Sequence, residues 1–164
     1  MIRAAALALA LLLSGCTLRP LYAGGGDGAV AQTLRSVDVA PIEGRAGWLV
    51  RTALEDRLGD PESAARYRLQ IELDDDITGF GIRADNAVTR ERRTLRARYQ
   101  LVDTSLGTVL LDATAGSDAG IDVVGSEYAT VAAEQTALER LSEEIADQIV
   151  SRVALYVART GEAQ

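Results

Sequence analysis

Two segments of the chain, 67–74 and 94–101, alternate between apolar and polar residues without a break. Because successive side chains of a β-strand point to opposite faces, this period of two predicts strands with one buried and one hydrated face. Shorter runs predict a first strand over 36–42, which stops at Pro41, and a fourth strand over 108–115. The chain is therefore expected to build a sheet that is apolar on one side only.

Two segments with the helical period can cover the apolar side of this sheet. Apolar residues recur every three to four positions over 46–58, and Gly59 and Pro61 provide a stop. A longer apolar stripe begins after Ser126, a suitable N-cap, and ends near Arg159. This second helix is predicted to have about 34 residues and a length of ~50 Å.

The predicted order of elements is β-α-β-β-β-α, which belongs to the α+β class. The first crossover joins parallel strands and is right-handed, whereas the later strands form an antiparallel meander. Both helices need an apolar surface, and the sheet offers only one. We therefore expect a two-layer sandwich, a four-stranded mixed sheet with two helices on one face. Trp48 is expected to anchor the first helix against this sheet.

The first 15 residues have the features of a secretion signal. One positive charge, Arg3, precedes the apolar run 4–13, which is too short to span ~30 Å of hydrocarbon as a helix. The signal ends in the sequence LSGC, which resembles the bacterial lipobox, and Cys16 is the only cysteine. We interpret Cys16 as the site of a covalent diacylglycerol and fatty acyl group. A small buried cysteine behind an ordinary signal is the alternative.

A lipid anchor of this kind holds a protein on a membrane surface without spanning the membrane. In lipoprotein sorting an aspartate after the cysteine retains the protein in the inner membrane, so Thr17 indicates the periplasmic side of the outer membrane. We divide the chain into a signal peptide over 1–15, a lipidated N-terminus and flexible tether over 16–35, and a single domain over 36–164.

The composition excludes several kinds of chemistry. The chain has no histidine, and its 17 basic residues are all arginine, against 24 acidic residues, for a net charge of −7. A Ser-His-Asp or Cys-His nucleophile and a His/Cys zinc site are therefore excluded, and a nucleic-acid partner is not expected. We predict that the protein is not an enzyme and uses no metal or cofactor. A tethered hydrolase with paired carboxylates is the least favoured alternative.

The third strand carries a row of four arginines with the same parity: Arg90, Arg92, Arg96 and Arg98. In a regular strand all four guanidinium groups project from one face, over ~26 Å, and repel one another unless anions lie nearby. A hairpin centred near Asp85 places Asp74 opposite Arg96 and predicts an exposed ion pair. The same register places Glu72 opposite Arg98 and predicts a second pair.

The other two arginines of the row face uncharged residues in this register. Phe80 lies opposite Arg90, and Thr78 lies opposite Arg92. Both arginines are therefore expected to be free for an external anion, and arginine can bind phosphate through two parallel hydrogen bonds. We predict an anion-binding row in which these two arginines bind first and the remaining two extend the site.

Three segments of the chain resemble one known family. Cys16 opens the sequence CTLRPLY, which is similar to the Cys-x-x-Arg-Pro-Leu-Tyr start of these proteins. The sequence ARYQLVD over 97–103 resembles their third strand, and 126–149 resembles their terminal helix. The chain is thus identified as a member of the LPS-assembly lipoprotein LptE family, in its alphaproteobacterial form. It departs from relatives at 120–122, where Gly-Ile-Asp replaces a Ser-Tyr-Asn-like run.

The resemblance implies a fold of four strands and two helices and a stable complex with the outer-membrane β-barrel LptD, whose lumen the lipoprotein plugs. It also implies a role in delivering lipopolysaccharide to the outer leaflet, with lipid A phosphates as the anions for Arg90 and Arg92. A hydrated, charged sheet face suits the polar interior of a large barrel. The alternative function is an auxiliary lipoprotein of an envelope ABC-type lipid transporter.

Overall fold

The computed structural model describes residues 28–59, 65–82 and 88–161. The predicted signal peptide, the lipidation site Cys16 and the tether up to residue 27 lie outside the described residues. In chain order the elements are α1 (Ala29–Arg35), β1 (Val37–Val39), α2 (Gly44–Leu58), β2 (Tyr67–Ile82), β3 (Val88–Asp103), β4 (Val109–Asp122) and α3 (Glu127–Gly161).

The four strands form one mixed sheet in the order β1-β2-β3-β4. β1 runs parallel to β2, and the other neighbours are antiparallel, so the predicted α+β class and strand order are confirmed. The predicted register of the central hairpin is also confirmed, with Asp74 paired to Arg96 and Phe80 paired to Arg90. This agreement fixes which side chains of β2 and β3 share a face.

The strands differ in length from the predictions. β1 has only 3 residues, while β2 and β3 each have 16 and continue well past the strictly alternating segments. β4 extends to Asp122 instead of ending at residue 115. Its second half faces the helices with small residues such as Ala115 and Ala119, which are buried but give a weak hydrophobic signal. Backbone pairing with β3 therefore continues where the sequence pattern fades.

The core lies between the sheet and the two long helices. On β3 the odd-numbered side chains of Leu95 and Tyr99 are at most 2% exposed, whereas the even-numbered arginines face away from the helices. Leu141, Ile145 and Ile149 of α3 form the facing stripe and are fully buried. Burying one such aliphatic side chain contributes about 1.5 to 3 kcal/mol. The predicted helix-covered face is thus confirmed.

The helix α1 was not expected from the sequence. Residues 29–35 were placed in the tether, but they form a helix with Leu34 buried against the core. The helix has 7 residues and no side-chain hydrogen bond at its N-cap, so it is too short to show a clear helical period. Packing of one leucine, together with the Ser36 hydroxyl that donates to the Thr33 carbonyl, stabilises it.

The prediction that Trp48 anchors α2 against the sheet is wrong, because its side chain is 64% exposed. The packed side of α2 begins instead at the preceding residue, Gly47, which is buried. A Cβ atom at Gly47 would come within 2.6 Å of the backbone oxygen of Ile42. The close approach of the helix and the preceding loop therefore requires glycine at this position. Trp48, one residue further, lies ~100° around the helix from this buried side.

Within the ranges 28–59, 65–82 and 88–161, none of the helices combines the length and apolar character needed to cross a bilayer. The longest helix, α3, illustrates why. Its 35 residues include a charged outer side, so only the stripe that faces the sheet is apolar. At its N-terminus the predicted cap is confirmed, since the Ser126 hydroxyl accepts a hydrogen bond from the Ala129 amide at 3.4 Å.

Candidate binding surface

The side of the sheet that the helices leave uncovered carries the predicted arginine row. We call this surface the open face and define it by the even-numbered residues over 68–80 of β2, 90–100 of β3 and 112–122 of β4. The side chains of Arg90, Arg92 and Arg98 are 60 to 65% exposed there. The structure therefore brings the predicted site residues onto one solvent-accessible face, as their common parity requires.

Two arginines at opposite ends of the row bind aspartates of β4. Arg90 Nε donates to Asp122 Oδ1 at 3.2 Å. Arg98 donates to both carboxylate oxygens of Asp112, with a shortest distance of 3.0 Å, and Gln100 donates to the same carboxylate at 2.8 Å. The predicted pair between Arg98 and Glu72 is therefore wrong, although the two residues lie opposite each other.

Arg92 also has an acidic neighbour on β4. Its Nε lies 3.9 Å from Asp118 Oδ2, and its guanidinium group stacks over the Phe80 ring at 5.6 Å from the centroid. The prediction that Arg90 and Arg92 lack acidic neighbours is therefore wrong. The predicted register concerns β2 alone, whereas the central strand β3 has a second neighbour, β4, that extends to Asp122.

Arg96 is the arginine of the row without a carboxylate at ion-pair distance among the described residues. Its Nη1 donates to the backbone oxygens of Ser117 at 3.1 Å and Leu95 at 3.3 Å. The expected pair with Asp74 is wrong, despite the confirmed register. Gly116 makes this conformation accessible, because a Cβ there would lie 2.7 Å from Arg96 Cδ. The glycine thus lets the guanidinium group lie across β4.

The hydrogen bonds from Arg98 favour the ionised form of the Asp112 carboxyl group. Hydrogen bonds from Arg98 first and Gln100 second lower the pKa of Asp112, and burial opposes them. The same contact raises the pKa of Arg98. Both side chains lie in solvent, so the pair is screened and contributes little to stability. Its main effect is to hold this arginine in place.

The acidic residues of β4 are the part of the surface that the sequence analysis missed. Asp112, Asp118 and Asp122 share even parity and alternate with alanine or isoleucine on the buried side. This period of two was the available signal, but the buried alanines made it faint. On β2, the same face carries Glu72, Asp74 and Asp76. The open face is therefore not a cationic patch but an arginine row between two acidic rows.

A groove on the open face offers space for a ligand. It has a volume of about 650 Å³ and runs beside Arg96 and Arg98, with Asp74, Thr114 and Gly116 along its walls. Within the part of the chain that the structure describes, His, Cys, Asp and Glu form no cluster that could hold a metal ion. The chemistry that this groove offers is ionic and hydrogen-bonding recognition.

On the opposite, helix-covered side, two carboxyl groups approach each other. Glu91 of β3 lies near Glu134 of α3, and Oε2 of Glu91 is buried without a hydrogen-bond partner among the described residues. Burial raises the pKa of Glu91, and the charge of Glu134 raises it further. The folded protein therefore binds the Glu91 proton more tightly than the unfolded chain does, so ionisation of this carboxyl group disfavours the folded state.

We expect Glu91→Gln to raise the melting temperature at pH 7 by about 2 °C, because it removes a charge that the burial of Oε2 and the nearby Glu134 disfavour. The gain should shrink as the pH falls through the raised pKa and vanish below the ordinary carboxyl pKa, where Glu91 is protonated in both states. Thermal unfolding from pH 7 to pH 3.5 tests this. Glu143→Gln, which removes an exposed charge of α3, is the matched control. A gain that persists unchanged at low pH would contradict the assignment.

Comparison with known protein families settles the affiliation of the chain. The model of the family described as LptE, lipopolysaccharide-assembly, matches residues 34–153. The chain belongs to the LptE family. The matched region runs from the end of α1 into the last third of α3, so it includes the whole sheet and the arginine row. The family assignment predicted from the sequence is thus confirmed. The description of this family names lipopolysaccharide assembly.

Solved structures share this fold. A lipoprotein from Caulobacter crescentus is 26% identical with a TM-score of 0.65, covering 79% of this chain and 96% of its own. A minor lipoprotein from Acinetobacter baumannii is 13% identical with a TM-score of 0.59, covering 74% and 92%. Rare lipoprotein B from Shewanella oneidensis is 10% identical with a TM-score of 0.54, covering 77% and 96%. A search of curated protein sequences finds no significant match.

Proposed function

We propose that this LptE protein is the outer-membrane lipoprotein subunit of the lipopolysaccharide translocon. It plugs the LptD β-barrel, assists the assembly of that barrel and binds lipopolysaccharide. A diacylglycerol and a fatty acyl chain on Cys16 anchor it to the periplasmic side of the outer membrane. With more than one acyl chain, at about 0.8 kcal/mol for each buried CH₂, the anchor is stable.

The observation that carries this proposal is the asymmetry of the sheet. One face is sealed by α2 and α3, and the open face presents charged side chains to water. The lumen of a large outer-membrane barrel is polar, so a plug must offer a hydrated surface while keeping its own core closed. Paired arginines and aspartates on the open face satisfy this condition, since each can also exchange its partner for a polar group of the barrel wall.

The side-chain contacts favour a different arginine as the first contact for lipopolysaccharide from those that the sequence favours. Arg90, Arg92 and Arg98 have aspartates nearby, so binding a phosphate requires them to give up or share an existing partner. Among the described residues, Arg96 donates to backbone oxygens alone, and it borders the groove of the open face. We infer that Arg96 binds a lipid A phosphate first and that the other three arginines of the row support it.

Extraction in mild detergent followed by mass spectrometry of co-purifying proteins tests the proposed function. We expect a large outer-membrane barrel of the LptD type in stoichiometric amounts. Recovery of inner-membrane ATPase components without a barrel would instead identify an auxiliary lipoprotein of an ABC-type lipid transporter. Repeated absence of a barrel from extracts that contain intact outer-membrane proteins would refute the plug function.

We expect Arg96→Gln to weaken lipopolysaccharide binding about tenfold, the loss of one charge-assisted hydrogen bond of roughly 1.5 kcal/mol. Arg45→Gln on α2 removes the same charge far from the open face and is the matched control. Binding of fluorescent lipopolysaccharide to each purified variant gives the dissociation constants. Equal affinities of the two variants for lipopolysaccharide would show that Arg96 is not part of the binding site. Unchanged melting temperatures would show that neither substitution acts through folding.

A further inference from the structure

The outer edge of β2 is open over most of its length. The parallel pairing with β1 ends where the Ala40 amide donates to the Leu69 carbonyl at 2.9 Å, and Pro41 then leads the chain away. From residue 71 to 80, β2 continues beside β3, while no described residue pairs with its other side. This stretch of ten residues is about 33 Å long at 3.3 Å per residue.

The backbone groups that point outward along this edge belong to odd-numbered residues. The Tyr67 amide donates to the Ser36 carbonyl, and the Leu69 carbonyl accepts from β1, so odd residues of β2 face away from β3. The register with β3 continues without a shift to Phe80. The amides and carbonyls of Ile71, Leu73 and the following odd residues are therefore available to an added strand.

The charge beside this edge distinguishes it from an unpaired edge that would associate with any strand. On the open face β2 carries three carboxylates: Glu72, Asp74 and Asp76. Arg98 and Arg96, opposite Glu72 and Asp74, bind a β4 carboxylate and backbone oxygens instead. Asp76 lies opposite Thr94 and, among the described residues, accepts a hydrogen bond from the Thr78 hydroxyl alone, at 2.7 Å. Asp74 has no hydrogen bond or ion pair within the described residues. The row that borders the open edge is thus acidic, and none of its three carboxylates forms an ion pair with an arginine of the described residues.

The acidic row decides which kind of strand fits. In an antiparallel pair between two copies of this chain, carboxylates of the two β2 strands would lie opposite one another. Like charges on directly opposed residues are destabilising. An apolar strand would remove the carboxylates from water without compensation. A strand with arginine or lysine at alternate positions would instead place a basic residue opposite each acidic one, with their Cβ atoms ~5 Å apart, while its backbone completes the edge.

We propose that the outer edge of β2, from residue 71 to 80, binds an extended segment of a partner protein by strand addition. The segment carries arginine or lysine at every second position, on the side that faces Glu72, Asp74 and Asp76. This docking surface is separate from the groove beside Arg96, so it can be tested without lipopolysaccharide.

The probe is an eight-residue peptide of alternating valine and arginine, capped at both ends, added to the full-length protein in mild detergent. Hydrogen exchange should slow roughly tenfold at the amides of Ile71, Leu73, Asp75 and Ile77, which point outward. Amides of the even residues already bond to β3 and should not change. A peptide with glutamate in place of arginine should bind at least tenfold more weakly.

Two matched changes separate strand addition from simple charge attraction. Ile77→Pro removes one outward amide without breaking a bond to β3, and we expect it to weaken the peptide about fivefold. Ile77→Thr keeps the amide and should bind as the parent does. If the proline variant does not fold, a peptide that is N-methylated on its edge-facing amides replaces it and should not bind.

Three results would overturn the proposal. The first is equal binding of the arginine and glutamate peptides. The second is binding that protects no odd-numbered amide or tolerates N-methylation, which would show attraction to the acidic row alone. The third is strong protection of the same amides in the protein without peptide, which would show that residues outside the described ranges already cover the edge.

Discussion

Leu141→Ala should lower the free energy of unfolding by about 3 kcal/mol, the typical cost of emptying a leucine site in a tight core. The side chain of Leu141 is 0% exposed and lies at the centre of the α3 stripe, where the helix meets the sheet. Truncation to alanine loses the free energy gained by burying the leucine side chain. It also leaves a cavity between the helix layer and the sheet, which the surrounding side chains fill only in part. Denaturation in urea, monitored by circular dichroism, measures the loss.

The chain offers a matched control on the same helix. Leu155 is 38% exposed, so its truncation should cost less than 1 kcal/mol. Leucine and alanine have similar helix propensities, and the difference between the two variants therefore reports burial rather than helix formation. Equal losses would mean that α3 does not seal the sheet at Leu141. That result would remove the asymmetry on which the plug function depends.

The fold was largely predictable because its strongest sequence signals are physical requirements of the two layers. Strict alternation over 67–74 and 94–101 leaves only one way to bury the apolar residues, and the long stripe of α3 needs a flat apolar partner. Register followed from the same parity, since a slip by one residue would expose Leu95 and bury Arg96. Apolar periodicity can be identified within one segment, without knowing which distant segment that segment contacts.

The partners of the arginine row were harder to predict. A central strand has two neighbours, and the predicted carboxylate partners all lie on one of them, the hairpin partner β2. All the actual partners lie on β4. Asp112 falls within the predicted fourth strand. Asp118 and Asp122 lie beyond its predicted end, where buried alanines and the glycines Gly116 and Gly120 give little hydrophobic signal. Which of two facing carboxylates an exposed arginine binds depends on small differences between side-chain conformations. Such differences leave no mark in the sequence pattern.

Arg93 differs from the four arginines of the open face, because its odd parity points it toward α3. Its side chain is only 12% exposed. Nε and Nη2 donate to the two carboxylate oxygens of Asp75 at 2.8 and 2.6 Å, and Nη1 donates to the Glu134 carbonyl at 2.9 Å. The hydrogen bond to Asp75 raises the pKa of Arg93 against the effect of burial. One guanidinium group therefore joins β2, β3 and the N-terminal half of α3.

We expect Arg93→Ala to lower the free energy of unfolding by about 3 kcal/mol. The substitution leaves the half-buried Asp75 carboxylate and the Glu134 carbonyl without the hydrogen bonds that Arg93 donates. In a double-mutant cycle with Asp75→Asn, the two losses should overlap by about 2 kcal/mol. The cycle of Arg98→Ala with Asp112→Asn is the matched control, since it removes an equally two-pronged pair in open solvent. Its coupling should be much smaller, because water and salt screen the charges. Equal coupling in both cycles would mean that burial adds nothing to the Arg93 contact.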